Sequence, residues 1–166
     1  MERIYCLKPL INSKSAILIL GTLPGPESDK RKEYYADHGN KFWAFIYSIF
    51  QTPMDYKYDQ RCDFLLKHRI ALWDVLESAE RVGASDNTIT NEIPNDLNKF
   101  IIEHPQIKRF LLHGTKAYNN FKQYNKHLYY TFPNIRVPST SSTPGKYVKP
   151  LNERKKIWKV ALSSVQ

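Results

Sequence analysis

Apolar residues fall in short runs broken by turn formers, and the runs alternate between two periods. Ala16-Ile17-Leu18-Ile19-Leu20 is wholly apolar and stops at Gly21, as a strand buried on both faces should. Ile70 to Val75 reads the same way. Arg109 to His113 stops at Gly114, and Asn134 to Val137 stops at Pro138. Tyr129-Tyr130-Thr131 is a weaker strand candidate. Helical spacing fills the intervals. Asn40 to Phe50 puts Phe42, Trp43, Phe45, Ile46 and Ile49 on one broad stripe. Asp59 to Arg69 continues after a polar loop, and Pro94 opens a segment reaching Glu103. Thr115 caps a segment running through Tyr124. From Pro150 onward, Leu151, Ile157, Trp158, Ala161, Leu162 and Val165 recur at helical spacing.

Strands alternating with helices predict a parallel sheet covered on both faces, an α/β/α sandwich occupying residues 1–166 as a single domain. Ligands of such sheets bind beyond the carboxyl ends of the strands. Four loops lie there: 21–40, 75–93, 113–116 and 138–149.

Composition narrows the chemistry. A chain of 166 residues can bury a core of its own. With only Cys6 and Cys62, four-cysteine metal sites and a disulfide scaffold are excluded. No apolar stretch reaches the ~20 residues of a membrane span, and the start lacks a signal peptide's apolar segment. The expectation is a cytoplasmic protein, nucleoid-associated if bacterial or archaeal. The net charge of +9 is unevenly spread: residues 1–98 hold 12 Lys+Arg against 14 Asp+Glu, whereas residues 99–166 hold 13 against 2. A basic half predicts a polyanionic partner, nucleic acid before an anionic membrane surface.

The loops carry the candidate chemistry. Gly21-Thr22-Leu23-Pro24-Gly25-Pro26-Glu27-Ser28 fixes a tight turn that exposes backbone N–H groups. It is neither a dinucleotide fingerprint nor a Walker A loop. Tyr34-Tyr35-Ala36-Asp37-His38-Gly39-Asn40 pairs aromatics with amide and ionisable groups. An aromatic ring can stack on a nucleobase, Asn40 can cap the following helix, and Asp37 with His38 could form an acid/base pair. Pro138-Ser139-Thr140-Ser141-Ser142 leads through Lys146 and Lys149 into a helix bearing Arg154, Lys155, Lys156 and Lys159. Such an arrangement suits a phosphate backbone.

Together these segments resemble the uracil-DNA glycosylase superfamily, most closely its hypoxanthine-DNA (DNA-deoxyinosine) glycosylase branch. The resemblance rests on Gly-Thr-Leu-Pro-Gly, on Tyr-Tyr followed by Asn40-Lys41-Phe42-Trp43, and on Pro138-Ser139-Thr140-Ser141. It rests also on Ala71-Leu72-Trp73-Asp74-Val75-Leu76 with Glu80-Arg81, and on Gly83-Ala84-Ser85-Asp86 leading to Ile93-Pro94-Asn95-Asp96. It covers about residues 15–160 and implies a four-stranded, mainly parallel sheet, no metal, no cofactor and a monomer acting on DNA that contains a deaminated base. Mismatch-specific uracil glycosylases carry an Asn in the first motif. This chain has Leu23 there, which implies that water positioning passes to Asn40, whose carbonyl would orient the attacking water. Gly21, Thr22, Leu23, Pro24, Gly25, Ser28, Tyr35 and His38 would line the substrate site, with Tyr35 stacked on the extruded base. Pro138, Ser139, Thr140, Ser141, Ser142, Lys146, Lys149 and Lys155 would contact DNA. The implied activity is a monofunctional glycosylase releasing hypoxanthine. The alternatives are uracil or xanthine release, a non-catalytic nucleic-acid-binding module on the same fold, and a small-molecule nucleosidase.

Overall fold

The computed structural model describes residues 2–141 and 149–163. In chain order its strands are β1 (Glu2–Tyr5), β2 (Ile17–Gly21), β3 (Ile70–Asp74), β4 (Leu76–Arg81), β5 (Thr90–Pro94), β6 (Arg109–His113) and β7 (Asn134–Val137). Its helices are α1 (Pro26–Arg31), α2 (Phe42–Ile49), α3 (Tyr58–Lys67), α4 (Leu97–Glu103), α5 (Thr115–Tyr124), α6 (Lys126–Thr131) and α7 (Leu151–Ser163).

The four stronger strand candidates form the central sheet, in the spatial order β3-β2-β6-β7 and all parallel. Successive side chains of a strand point to opposite faces, and β2 shows this directly. Ile17 and Ile19 join the core covered by α2, α3 and α7, around Phe42, Trp43, Ile46, Leu65 and Trp158. Leu18 and Leu20 join the core covered by α4, α5 and α6, around Leu97, Phe100, Phe110, Phe121 and Leu128. All five residues of β2 are buried, as a strand with helices on both faces requires. The result is the expected three-layer α/β/α sandwich.

Four local expectations are corrected. The stretch 75–93 is not a simple loop: β4 pairs antiparallel with both β1 and β5 in a second, three-stranded sheet. Pro94 ends β5 instead of opening a helix, and Asp96 caps α4 by accepting from the Lys99 N–H. Tyr129-Tyr130-Thr131 closes α6 and is not a strand. Pro26 opens α1, an unforeseen short helix directly after the first loop.

Candidate active site

The carboxyl ends of β2, β3 and β6 open onto a cleft of about 560 Å³. Its walls come from the first loop (Gly21 to Pro26, and Ser28), from Tyr35, Asp37 and Asn40, from Asp74, Arg81 and Asp86, and from His113, Ser139 and Ser141.

One wall is a chain of hydrogen bonds running through His113, which ends β6. The backbone N–H of Thr140 donates to His113 Nε2 at 3.0 Å, so that nitrogen carries the lone pair and Nδ1 carries the hydrogen. Burial holds the imidazole neutral, with its pKa lowered to about 3. The Nδ1–H therefore donates to the Tyr35 hydroxyl, 2.8 Å away. The Thr140 hydroxyl donates to Asn40 Oδ1 at 2.9 Å, and the Phe42 N–H donates to the same oxygen at 2.8 Å. Lys41 N–H to Thr140 O and a bridge between Asn40 and Ser141 stitch the two loops together.

This arrangement changes the expected role of Asn40. The residue does line the cleft. Its carbonyl, however, has two lone pairs, and both are engaged by Phe42 and Thr140. The carboxamide NH₂ is the part left for a ligand. Tyr35 also lines the cleft, with its ring stacked on Phe42 at a centroid distance of 3.8 Å. Its backbone takes the left-handed conformation (φ 55°), a costly geometry for a bulky residue that packing must enforce.

The other wall is ionic. Arg81 is buried and donates to Pro24 O at 2.7 Å and Gly83 O at 2.9 Å, which clamps the first loop. The Gly21 and Thr22 carbonyls accept from the Val75 and Leu76 N–H groups. Asp74, the last residue of β3, is only 5% exposed. A Cβ on Gly21 would sit 2.8 Å from Asp74 Oδ1, so any larger residue there would force the carboxyl group or the loop to shift. Burial, reinforced by Asp86 and opposed by Arg81, raises the Asp74 pKa to about 7. Asp86 reaches the surface, yet partial burial raises its pKa too. Asp74, Arg81, Asp86 and His113 are site residues that sequence reasoning did not assign. The available signal was an acid ending a parallel strand where such sheets bind ligands.

The remaining candidates divide. Gly21, Thr22, Leu23, Pro24, Gly25, Ser28, Tyr35, Asn40, Ser139 and Ser141 border the cleft. Ser28 is buried, and its Oγ accepts from the Ala36 N–H. His38 lies instead in a neighbouring groove with Lys41, Tyr56 and Arg61. Asp37 borders both the cleft and that groove, and its Oδ1 accepts from Gly39 N–H in a tight turn. Thr140 is fully buried and bonded inward, so it is not a DNA-facing residue. Pro138 holds Trp158 Nε1 through its carbonyl, and Ser139 O accepts from Arg154 Nη1. Arg154 therefore anchors the loop. Lys149 is exposed and Lys155 half-buried. Ser142 and Lys146 lie outside the described residues. Among the described residues no cluster of His, Cys, Asp and Glu could hold a metal, and no helix is long and apolar enough to cross a membrane.

A parallel α/β/α sandwich with a polar cleft at its strand ends, bordered by a Gly-Pro turn, an Asn-led helix and a Ser/Thr loop, defines a class. The family model of the uracil DNA glycosylase superfamily matches residues 9–162, and the chain belongs to that superfamily. It is thus a DNA glycosylase by family, with DNA as substrate. It is 33% identical over 109 residues to a hypoxanthine DNA glycosylase of Methanosarcina acetivorans, covering 65% of this chain and 69% of that one. A hypoxanthine DNA glycosylase of Methanosarcina barkeri is 34% identical over 110 residues, covering 66% and 70%. The solution NMR structure of a presumed uracil DNA glycosylase from Methanosarcina acetivorans superposes with a TM-score of 0.81, at 26% identity and 97% coverage of both chains.

Proposed function

We propose that the protein is a monofunctional DNA glycosylase that hydrolyses the N-glycosidic bond of an extruded deaminated base, with hypoxanthine as the preferred one. The single observation carrying this reading is the convergence of Asn40, Tyr35 and the first loop on one cleft at the strand ends. The two named relatives support the choice of hypoxanthine. So does Leu23, whose apolar side chain packs towards Leu76, Ala79 and Ile89 and cannot polarise water.

A base within the duplex is out of reach, so the nucleotide is flipped into the cleft at a cost of a few kcal/mol. Tyr35, backed by Phe42, supports the base. The first loop has its carbonyls bound to Val75, Leu76 and Arg81, and its N–H groups at Thr22 and Leu23 face the charge that develops on the leaving base. Bond cleavage builds oxocarbenium character at C1′, which a neutral water can capture. Asn40 then positions that water by donating from its NH₂ group; it does not deprotonate it. Thr140 and His113 fix the orientation of Asn40 before substrate arrives, as positioning catalysis requires. The basic carboxyl-terminal half, with Lys155 and Lys156 on α7, holds phosphates.

The test is a panel of duplexes containing deoxyinosine, deoxyuridine or deoxyxanthosine, treated with alkali after incubation to cut abasic sites. Cleavage fastest on deoxyinosine is the expected result. Tight, salt-sensitive binding without abasic product would identify a non-catalytic module instead.

A further inference from the structure

Asp74 is the group in the cleft that the mechanism above leaves unused. It stands at the end of β3, facing Gly21, which has no side chain to displace it. Its Oδ2 is buried and has no hydrogen-bond partner among the described residues. A buried carboxyl oxygen without a partner is costly to the folded state, and at a cleft wall a ligand can satisfy it. Three neighbours pin the site in place. Asn95 Nδ2 donates to the Asp74 backbone carbonyl at 2.8 Å, Val75 N–H donates to Gly21 O, and Arg81 clamps Pro24.

We propose that Asp74, in its neutral acid form, donates a proton to the departing base. The proposal rests on the glycosylase reading and assigns the leaving-group chemistry of the same cleft. In the step, the C1′–N bond breaks and its electron pair goes to the base. The Asp74 hydroxyl proton moves to a ring nitrogen of the base, which leaves as a neutral molecule. The water oxygen bonds to C1′ and its surplus proton passes to solvent. The Asp74 carboxylate then regains a proton from solvent once the base has gone. A purine is a poor leaving group as an anion, so proton donation accelerates this step, and general acid catalysis typically supplies 10²–10⁴-fold.

The surroundings keep the acid protonated near neutral pH. Burial has the largest effect, Asp86 from the turn after β4 adds to it, and Arg81 on β4 opposes it. Tyr34, Tyr35 and Cys6 also face Asp74, and burial raises the pKa of each, so all three stay uncharged there. The rate should therefore be level below about pH 7 and fall about tenfold per unit above it.

The experiment is single-turnover release of hypoxanthine from a deoxyinosine duplex between about pH 5 and about pH 9, with DNA affinity measured in parallel. Asp74→Asn keeps the shape and a hydrogen-bonding amide but has no proton to transfer. At pH 6 it should be slower by about 10²-fold or more, lose the alkaline limb, and bind DNA within a few-fold of the parent. Asp86→Asn should move the limb to lower pH. An Asp74→Asn enzyme with the parental rate, or one that keeps the limb, overturns the proposal. A flat profile for the parent protein overturns it too, whether or not the variant folds. If the parent releases no base from any duplex of the panel, the glycosylase reading itself fails; base release by the parent with Asp74→Asn unaltered removes only this proposal.

Discussion

The two walls of the cleft are built on opposite principles. On the His113 side, the acceptors of Asn40 and His113 are matched to a named donor: His113 to Thr140, Asn40 to Thr140 and Phe42. On the Asp74 side, an acid is buried with one oxygen unmatched and a second acid nearby. The first wall is a finished scaffold that fixes orientation in advance. The second retains electrostatic capacity that folding has not used. Stability and chemistry are thus assigned to different walls, and mutations on the two sides should fail in different ways.

The sharpest break is Gly21→Ala. Its methyl group would meet the Asp74 carboxylate at 2.8 Å, closer than packed atoms tolerate, so either the first loop or the acid must move. Base release should fall about 100-fold or more while overall helicity by circular dichroism is retained, since misplacement by about 1 Å can cost that much.

Thr140→Val probes the opposite wall. The isosteric change removes the donor to Asn40 Oδ1 and leaves the Phe42 bond to hold the amide alone. Single-turnover base release should drop about tenfold, consistent with loss of one buried hydrogen bond of about 1–2 kcal/mol. The pH profile should keep its shape.

Asp74→Asn should also stabilise the fold, with a sign set by linkage. The native carboxyl titrates at about 7 against an ordinary value of 3.8. Below about pH 4 both folded and unfolded forms are protonated and there is no penalty. Between those values the unfolded chain ionises first, so the penalty grows with pH, and above 7 it levels at no more than about 4 kcal/mol. The Tm gain of the variant should therefore be absent near pH 4, rise towards pH 7 and hold constant at pH 8. A gain independent of pH would mean that Asp74 titrates normally.

The smallest effect belongs to the basic helix. Replacing Lys155 and Lys156 by Ala should reduce the slope of log affinity against log salt by about 1 for each phosphate no longer neutralised, with little change in the rate at saturating enzyme. An unchanged slope would mean that other cations hold the phosphates.

The legibility of the sequence follows the same division. The parallel sheet was readable because burial on both faces makes its core strands continuous apolar runs, β2 above all. The antiparallel sheet was not, because Thr90–Pro94 is largely polar and its pairing with β4 contains register shifts. Tyr129 and Thr131 have strand propensity, yet packing overrides it: Leu128 buries, Tyr129 packs edge-to-face with Tyr118 and Phe121, and the segment is helical. Within the site, Asn40 was legible from its motif. The occupation of its carbonyl was not, since the second donor, Thr140, lies a hundred residues away in sequence. Asp74 sat inside the Ile70–Val75 run with no role of its own assigned. Only the approach of Gly21 across the parallel pairing of β2 and β3 reveals that space was cleared for a carboxyl group.

The most direct measurement is single-turnover hypoxanthine release by the parent protein and by Asn40→Ala, each at an enzyme concentration that saturates deoxyinosine DNA. Water positioning by Asn40 predicts release by the parent, a loss of about 100-fold or more in the variant, and DNA affinity that changes only a few-fold. Equal rates for the two proteins would contradict it.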